Sequence, residues 1–173
     1  MDNKFQRKGV KSNSQIGNEF EYKALDYFSS EGIVLEKPYK IEIGIKIKKV
    51  HKFDLGNDHY LVECKSMKWT ESGNIPSAKL KNLNETMYYF HLAPKKHTKI
   101  LFLEMDFNQK YCKTLLEYYI GLNFHLIPED VLFYDYYSSN GDCRIYTFED
   151  IEKIIEYKGK NIVFQNKKRY NIA

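Results

Sequence analysis

Apolar residues recur along this chain with two different periods, and the switches between them mark its elements. Over residues 15–30, Ile16, Phe20, Ala24, Tyr27 and Phe28 fall on one helical face, the spacing of an amphipathic helix. Ser12 or Ser14 is placed to cap that helix and Gly32 to stop it. The period then shortens. Residues 33–43, 45–55 and 59–66 carry β-branched and aromatic side chains in strand-like alternation, with Gly56-Asn57-Asp58 as the turn before the last of them. These three segments predict an antiparallel meander. After a loop over residues 69–75, Pro76 suits the first turn of a helix running to Leu92, with Leu80, Leu83, Met87 and Phe90 on its core face. Residues 99–105 (KILFLEM) read as a buried strand, 109–122 as a helix, and 124–127 and 131–137 as strands. Thr147 starts a short helix, with Asp150 three residues on as a capping signal. The order α-β-β-β-α-β-α-β-β-α predicts an α/β fold, a mixed sheet with helices packed on it.

Length and composition leave this picture standing. A chain of 173 residues with 43% hydrophobic residues suits one domain, here residues 15–173 behind a basic arm over residues 1–14. The arm holds Lys4, Arg7, Lys8 and Lys11. No apolar run reaches the roughly 20 residues of a membrane span, and the first residues lack the apolar core of a secretory signal. Three separated cysteines, Cys64, Cys112 and Cys143, with no CxxC pair, predict free thiols in a reducing cytoplasm and argue against a cysteine-based zinc site. There is no HExxH and no phosphate-binding GxxxxGK[ST] loop, so neither zinc nor ATP is expected.

Charge changes the picture more. Residues 1–100 carry 18 Lys/Arg against 12 Asp/Glu and residues 158–173 five against none, whereas residues 101–157 carry four against eleven. A polyanion partner is expected on the two basic stretches. Lys46, Lys48, Lys49 and Lys52 crowd the approach to Asp54, where Lys49 and Lys52 are candidates for DNA-backbone contacts. Lys79, near the start of the second helix, is a further candidate for a phosphate. Trp69 is a candidate for stacking on a base or for capping the core.

The chemistry gathers in HKFDLGNDHYLVECKS, residues 51–66. Side chains i and i+2 of a strand share a face, so Glu63 and Lys65 point one way and Cys64 the other. If the turn at Gly56 closes a hairpin, Asp54 comes beside Glu63. Two carboxylates on adjacent strands repel, and a hard divalent cation relieves them better than one lysine does. Mg²⁺ takes a few protein oxygens and keeps several waters. Asp54, Glu63 and the backbone carbonyl of Cys64 are the expected ligands, with Lys65 beside the attacking water or the developing charge. Glu21 lies at the border of the first helix's buried stripe, with Leu25 and Phe28, where a carboxylate needs a metal-water cluster or a basic partner. His51, adjacent in sequence, is a candidate to touch the site but reads first as structural.

Gly17-x-x-Phe20-Glu21 on a first helix, then Asp54, then Glu63-Cys64-Lys65, resembles the PD-(D/E)xK nuclease superfamily over roughly residues 15–105. The proline that often precedes the first Asp there is Phe53 here. The resemblance implies a restriction-endonuclease-like core, a mixed sheet of four or more strands flanked by helices. It implies divalent-metal hydrolysis of phosphodiesters, with Asp54 and Glu63 as metal ligands, Lys65 as catalytic lysine and Glu21 as accessory acid. The expectation is a restriction-type endodeoxyribonuclease using Mg²⁺, with Mn²⁺ able to substitute, acting on DNA as a homodimer. A junction resolvase or repair nuclease, and a DNA-binding module that has lost cutting, are the alternatives.

Overall fold

Helix α1 (Asn13–Ser30) starts where its own sequence closes the first turn: Ser12 accepts from the Gln15 backbone N–H, and the Gln15 side chain accepts from that of Ser12. The computed structural model describes residues 11–151. Helix α1 begins two residues before the expected Gln15, and Lys11 ahead of it pairs with Glu19. Lys4, Arg7 and Lys8, and the tail from residue 152, lie outside the described residues. Gly32, at φ 79°, follows α1 in the left-handed region that favours glycine.

The elements that follow are β1 (Tyr39–Ile43), β2 (Lys49–Phe53), β3 (Leu55–Gly56), β4 (Tyr60–Lys65), α2 (Ser77–Leu92), β5 (Thr98–Glu104), β6 (Phe107–Asn108), β7 (Lys113–Thr114), α3 (Leu115–Asn123), β8 (Val131–Tyr136) and β9 (Cys143–Tyr146). The main sheet has five strands in the order β3-β4-β5-β8-β9. Its centre, β4-β5-β8, is parallel, and β3 and β9 join it antiparallel at the edges. The structure is thus an α/β fold with a mixed sheet. Among the described residues no helix is long and apolar enough to cross a membrane, and the three cysteines are free thiols.

Both faces of the sheet are covered, which is why KILFLEM reads as an unbroken apolar run. On one face Phe20, Ala24 and Phe28 of α1 pack on Val62, Cys64, Ile100, Phe102 and Tyr134. On the other, Leu80, Leu83, Met87 and Phe90 of α2 and Leu115, Leu116, Tyr119 and Ile120 of α3 pack on Leu61, Leu101, Leu103 and Phe133. Each fully buried Phe or Leu contributes about 1.5–3 kcal/mol, so α1 is held by its three-residue stripe.

Several elements differ from the sequence reading. The meander splits: β1 and β2 form a separate antiparallel ribbon, and only β3 continues into the main sheet. Residues 45–47 are the exposed tip of that ribbon. Residues 33–38 pair with the sheet through one backbone bridge, between Glu36 and Gly56, and pack on it through Leu35. Residues 109–112 form a turn between β6 and β7, and α3 starts at Leu115, where Thr114 and Glu117 form a capping box. Phe124–Leu126 is a turn of 3-10 helix and not a strand. β9 was not anticipated, because a four-residue edge strand that is only half-buried leaves no alternation to read. Thr147 and Asp150 do cap the turn that opens the last described helix.

Candidate active site

The site grows from a break in the strands. Asp54 is the single residue between β2 and β3. β3 is two residues long, pairing Leu55 with Val62 and Gly56 with Leu61, so its ladder ends before Cys64. The Asp54 carboxylate takes over from the missing strand and accepts the Cys64 backbone N–H at 2.8 Å. In a strand the N–H and C=O of one residue point to the same edge, so the Cys64 carbonyl faces the Asp54 side as well. Gly56 permits the close turn. A Cβ there would lie 2.8 Å from the Tyr39 ring and 2.8 Å from the Tyr60 carbonyl oxygen.

Alternation along β4 does the rest. Cys64 turns into the core beneath α1, and Glu63 and Lys65 turn to the opposite face. The Lys65 ammonium donates to Glu63 Oε2 at 2.7 Å and sits 3.8 Å from Asp54 Oδ2, so those two carboxylate oxygens lie no more than 6.5 Å apart. Burial, and then repulsion from Glu63, push Asp54 up to about 6. Lys65 and the Cys64 N–H offset only part of this. Burial would raise Glu63 too, but the His51 imidazole and the Lys65 ammonium outweigh it and hold Glu63 below the usual carboxylate range. Burial works against a charged Lys65, yet Glu63 and Asp54 prevail and raise it. The lysine is held as the counter-ion of an over-charged carboxylate pair.

Around this core stand His51 and Glu21, both named from the sequence, and Lys37, which was not. His51, read as structural, places Nε2 3.9 Å from Glu63 Oε1, with its ring packed on Tyr89 and Phe53. Glu21 has a basic partner in Lys37, whose Nζ lies 3.2 Å from Glu21 Oε2. Lys37 also donates to Asn18 and covers the Tyr22 ring. Lys37 lies inside the segment read as a strand over residues 33–43, and no signal in the sequence links it to a residue on α1. The negative charge of Glu21 is felt at Asp54. Glu21, Asp54, Lys37 and Lys52 line one cleft of roughly 390 Å³, with Gln15 and Asn18 from the start of α1.

The other predicted contacts separate from it. Lys49 alternates with Lys52 on β2 and so points to the opposite face of the ribbon. Lys79 is exposed in the first turn of α2 and is not part of the cleft lining. Trp69 is taken up by the core. It stacks on Tyr111 at 5.1 Å, its Nε1 donates to the Asp106 carbonyl at 3.0 Å, and 9% of it is exposed. An indole satisfied on its face and at its N–H is a core cap, and the expectation that it meets a base is dropped. A second cleft, of roughly 410 Å³ between α2 and the 3-10 turn, is lined by Asn84, His91, His125 and largely apolar neighbours, with no carboxylate.

Among the described residues no three His, Cys, Asp or Glu side chains gather closely enough to form a metal cluster by themselves. What Asp54, Glu63 and the Cys64 edge offer is two hard carboxylates and a backbone oxygen. That set fits an ion that keeps most of its water, as Mg²⁺ does. Burial first, and then Glu63, raise Asp54 with Lys65 in place, so a bound cation would favour its charged form. No family model, curated protein or solved structure matches this chain.

Proposed function

We propose that this chain is a Mg²⁺-dependent nuclease that hydrolyses DNA phosphodiester bonds, on a restriction-endonuclease-like core of the PD-(D/E)xK type. One observation carries the reading: Asp54, at the β2–β3 break, and Glu63, on β4, share the Lys65 ammonium at 3.8 and 2.7 Å beside a cleft flanked by Lys37 and Lys52. Mg²⁺ held by the two carboxylates would polarise a phosphate oxygen and lower the pKa of a bound water. The side chains supply the remainder. Lys65, charged at neutral pH, stabilises negative charge developing at phosphorus and holds the water in line. His51 fixes the orientation of Glu63 from behind. Lys52 and Lys37 bind the backbone phosphates on either side of the scissile one. Glu21 holds Lys37 at the cleft.

The test is cleavage of supercoiled, linear, branched and single-stranded DNA by the whole chain, with MgCl₂ or EDTA, beside Asp54→Ala and Lys65→Ala. Mg²⁺-dependent cleavage is expected from the wild type. Each variant should lose at least about 100-fold, the usual cost of removing one group that stabilises the transition state. Variants that keep the wild-type rate would remove the assignment.

A further inference from the structure

The β1–β2 ribbon stands apart from the main sheet and carries an unusual surface. Residues 39–53, the ribbon itself, hold five lysines against one glutamate, a net charge of +4 that equals the whole chain's. Its inner face, Tyr39, Ile41, Ile43 and Phe53, packs on the core. Its outer face sets Lys40 directly across from Lys52, both exposed. Like charges in that register repel, and the repulsion is relieved when an anion lies over them. Lys52 also lines the cleft with Asp54, so the charged face leads into the candidate site.

The tip is apolar as well as basic. Gly44, at φ 137°, starts the turn, where a Cβ would lie on the Ile47 carbonyl, and its N–H is tied to the Leu92 carbonyl at the end of α2. Beyond that anchor Ile45 is 82% exposed and Ile47 89%, between Lys46 and Lys48. Lysines alone would protect an edge strand from pairing with other chains. Two exposed isoleucines undo that protection, so edge defence does not account for the tip. A two-stranded ribbon fits the major groove of a duplex, about 12 Å wide, where apolar side chains contact the thymine methyl.

We propose that the β1–β2 ribbon is a duplex-docking arm: its lysines bridge to the phosphate backbones while Ile45 and Ile47 enter the groove. The inference rests on the reading of the site as a DNA nuclease. It deepens that reading by naming the element that holds the substrate. The outer face and the tip together lead the duplex past Lys52 to Asp54.

The experiment measures binding of a fluorescein-labelled duplex by anisotropy in EDTA, where no cleavage is needed, over a range of salt. Lys46→Glu with Lys48→Glu should weaken binding at least tenfold and flatten the salt dependence by about two phosphate contacts, roughly 0.9 in slope each. Ile45→Ser with Ile47→Ser should weaken binding several-fold with the slope unchanged. Lys95→Glu with Lys96→Glu, exposed residues just before β5, imposes the same charge change elsewhere and should bind as the wild type does. Equal losses in that control would show that only net charge matters and would overturn the arm. So would ribbon variants that keep duplex affinity and lose phosphatidylserine-vesicle binding or self-association instead. Ribbon-dependent binding by a chain that never cleaves with Mg²⁺ would remove the nuclease reading and leave the arm. Full-rate cleavage with unchanged affinity in the ribbon variants would remove the arm and leave the nuclease.

Discussion

Asp54→Asn should make this protein more stable while abolishing its proposed activity. Burial and Glu63 push the Asp54 carboxyl from an ordinary 3.8 to about 6. Between those values the folded chain keeps a proton that the unfolded chain has released, so stability falls as pH rises through roughly 4 to 6. Two units correspond to about 3 kcal/mol at neutral pH. Asparagine removes the charge and keeps an oxygen for the Cys64 N–H, at the loss of the 3.8 Å attraction to Lys65. A net gain of about 1–3 kcal/mol is expected, which at typical urea sensitivities of 1–3 kcal/mol per molar moves the midpoint by about 1 M. The assay is urea unfolding in EDTA at pH 7.5 and pH 4, followed by far-ultraviolet circular dichroism and by Trp69 fluorescence. The variant should lead at pH 7.5 and show no lead at pH 4. Adding 10 mM MgCl₂ should stabilise the wild type at pH 7.5, as any ligand selective for the folded state does, and should leave the variant nearly unmoved. A variant less stable than wild type at pH 7.5, or a difference that persists at pH 4, would refute the claim that burial and the neighbouring Glu63 disfavour a charged Asp54.

Three further predictions concern the rest of the molecule. Asp135 is fully buried on β8, and burial pushes it up to about 7 against partial relief from Thr114 and Arg144; stability should therefore decline from about pH 4 to pH 7, and Asp135→Asn should raise the melting temperature at pH 8 and not at pH 4. Glu117 accepts from Arg144 and the Tyr146 hydroxyl at 2.9 Å each and caps α3 through the Thr114 N–H; Glu117→Ala should cost about 2–4 kcal/mol in urea unfolding, through desolvated donors and a lost cap, with the cleavage rate of the folded fraction kept. Trp69→Phe keeps the stack on Tyr111 and loses the bond to the Asp106 carbonyl; it should cost about 1–2 kcal/mol with duplex affinity unchanged, and a tenfold loss of affinity in a folded variant would return Trp69 to the DNA surface.

Periodicity and local chemistry settled a good part of this protein before any tertiary contact was known. The stripe of Phe20, Ala24 and Phe28, the core face of α2 and the buried run of β5 follow from spacing, because burial selects side chains with the period of the backbone. So does the division of Glu63 and Lys65 from Cys64, since a strand has only two faces. Tertiary structure decided what lies between elements distant in sequence. β4, β5 and β8 pair in parallel because α2 and α3 carry the chain back across the sheet, and a run of apolar residues does not state the direction of its neighbour. The truncation of β3 that makes room for the Asp54 carboxylate, the placing of Lys37 against Glu21, and the turning of Trp69 inward all depend on which surfaces meet. Local propensity acts over one or two turns of chain. The charge balance around Asp54 is set by groups from α1, the loop before β1, the ribbon and β4, and only folding brings them together.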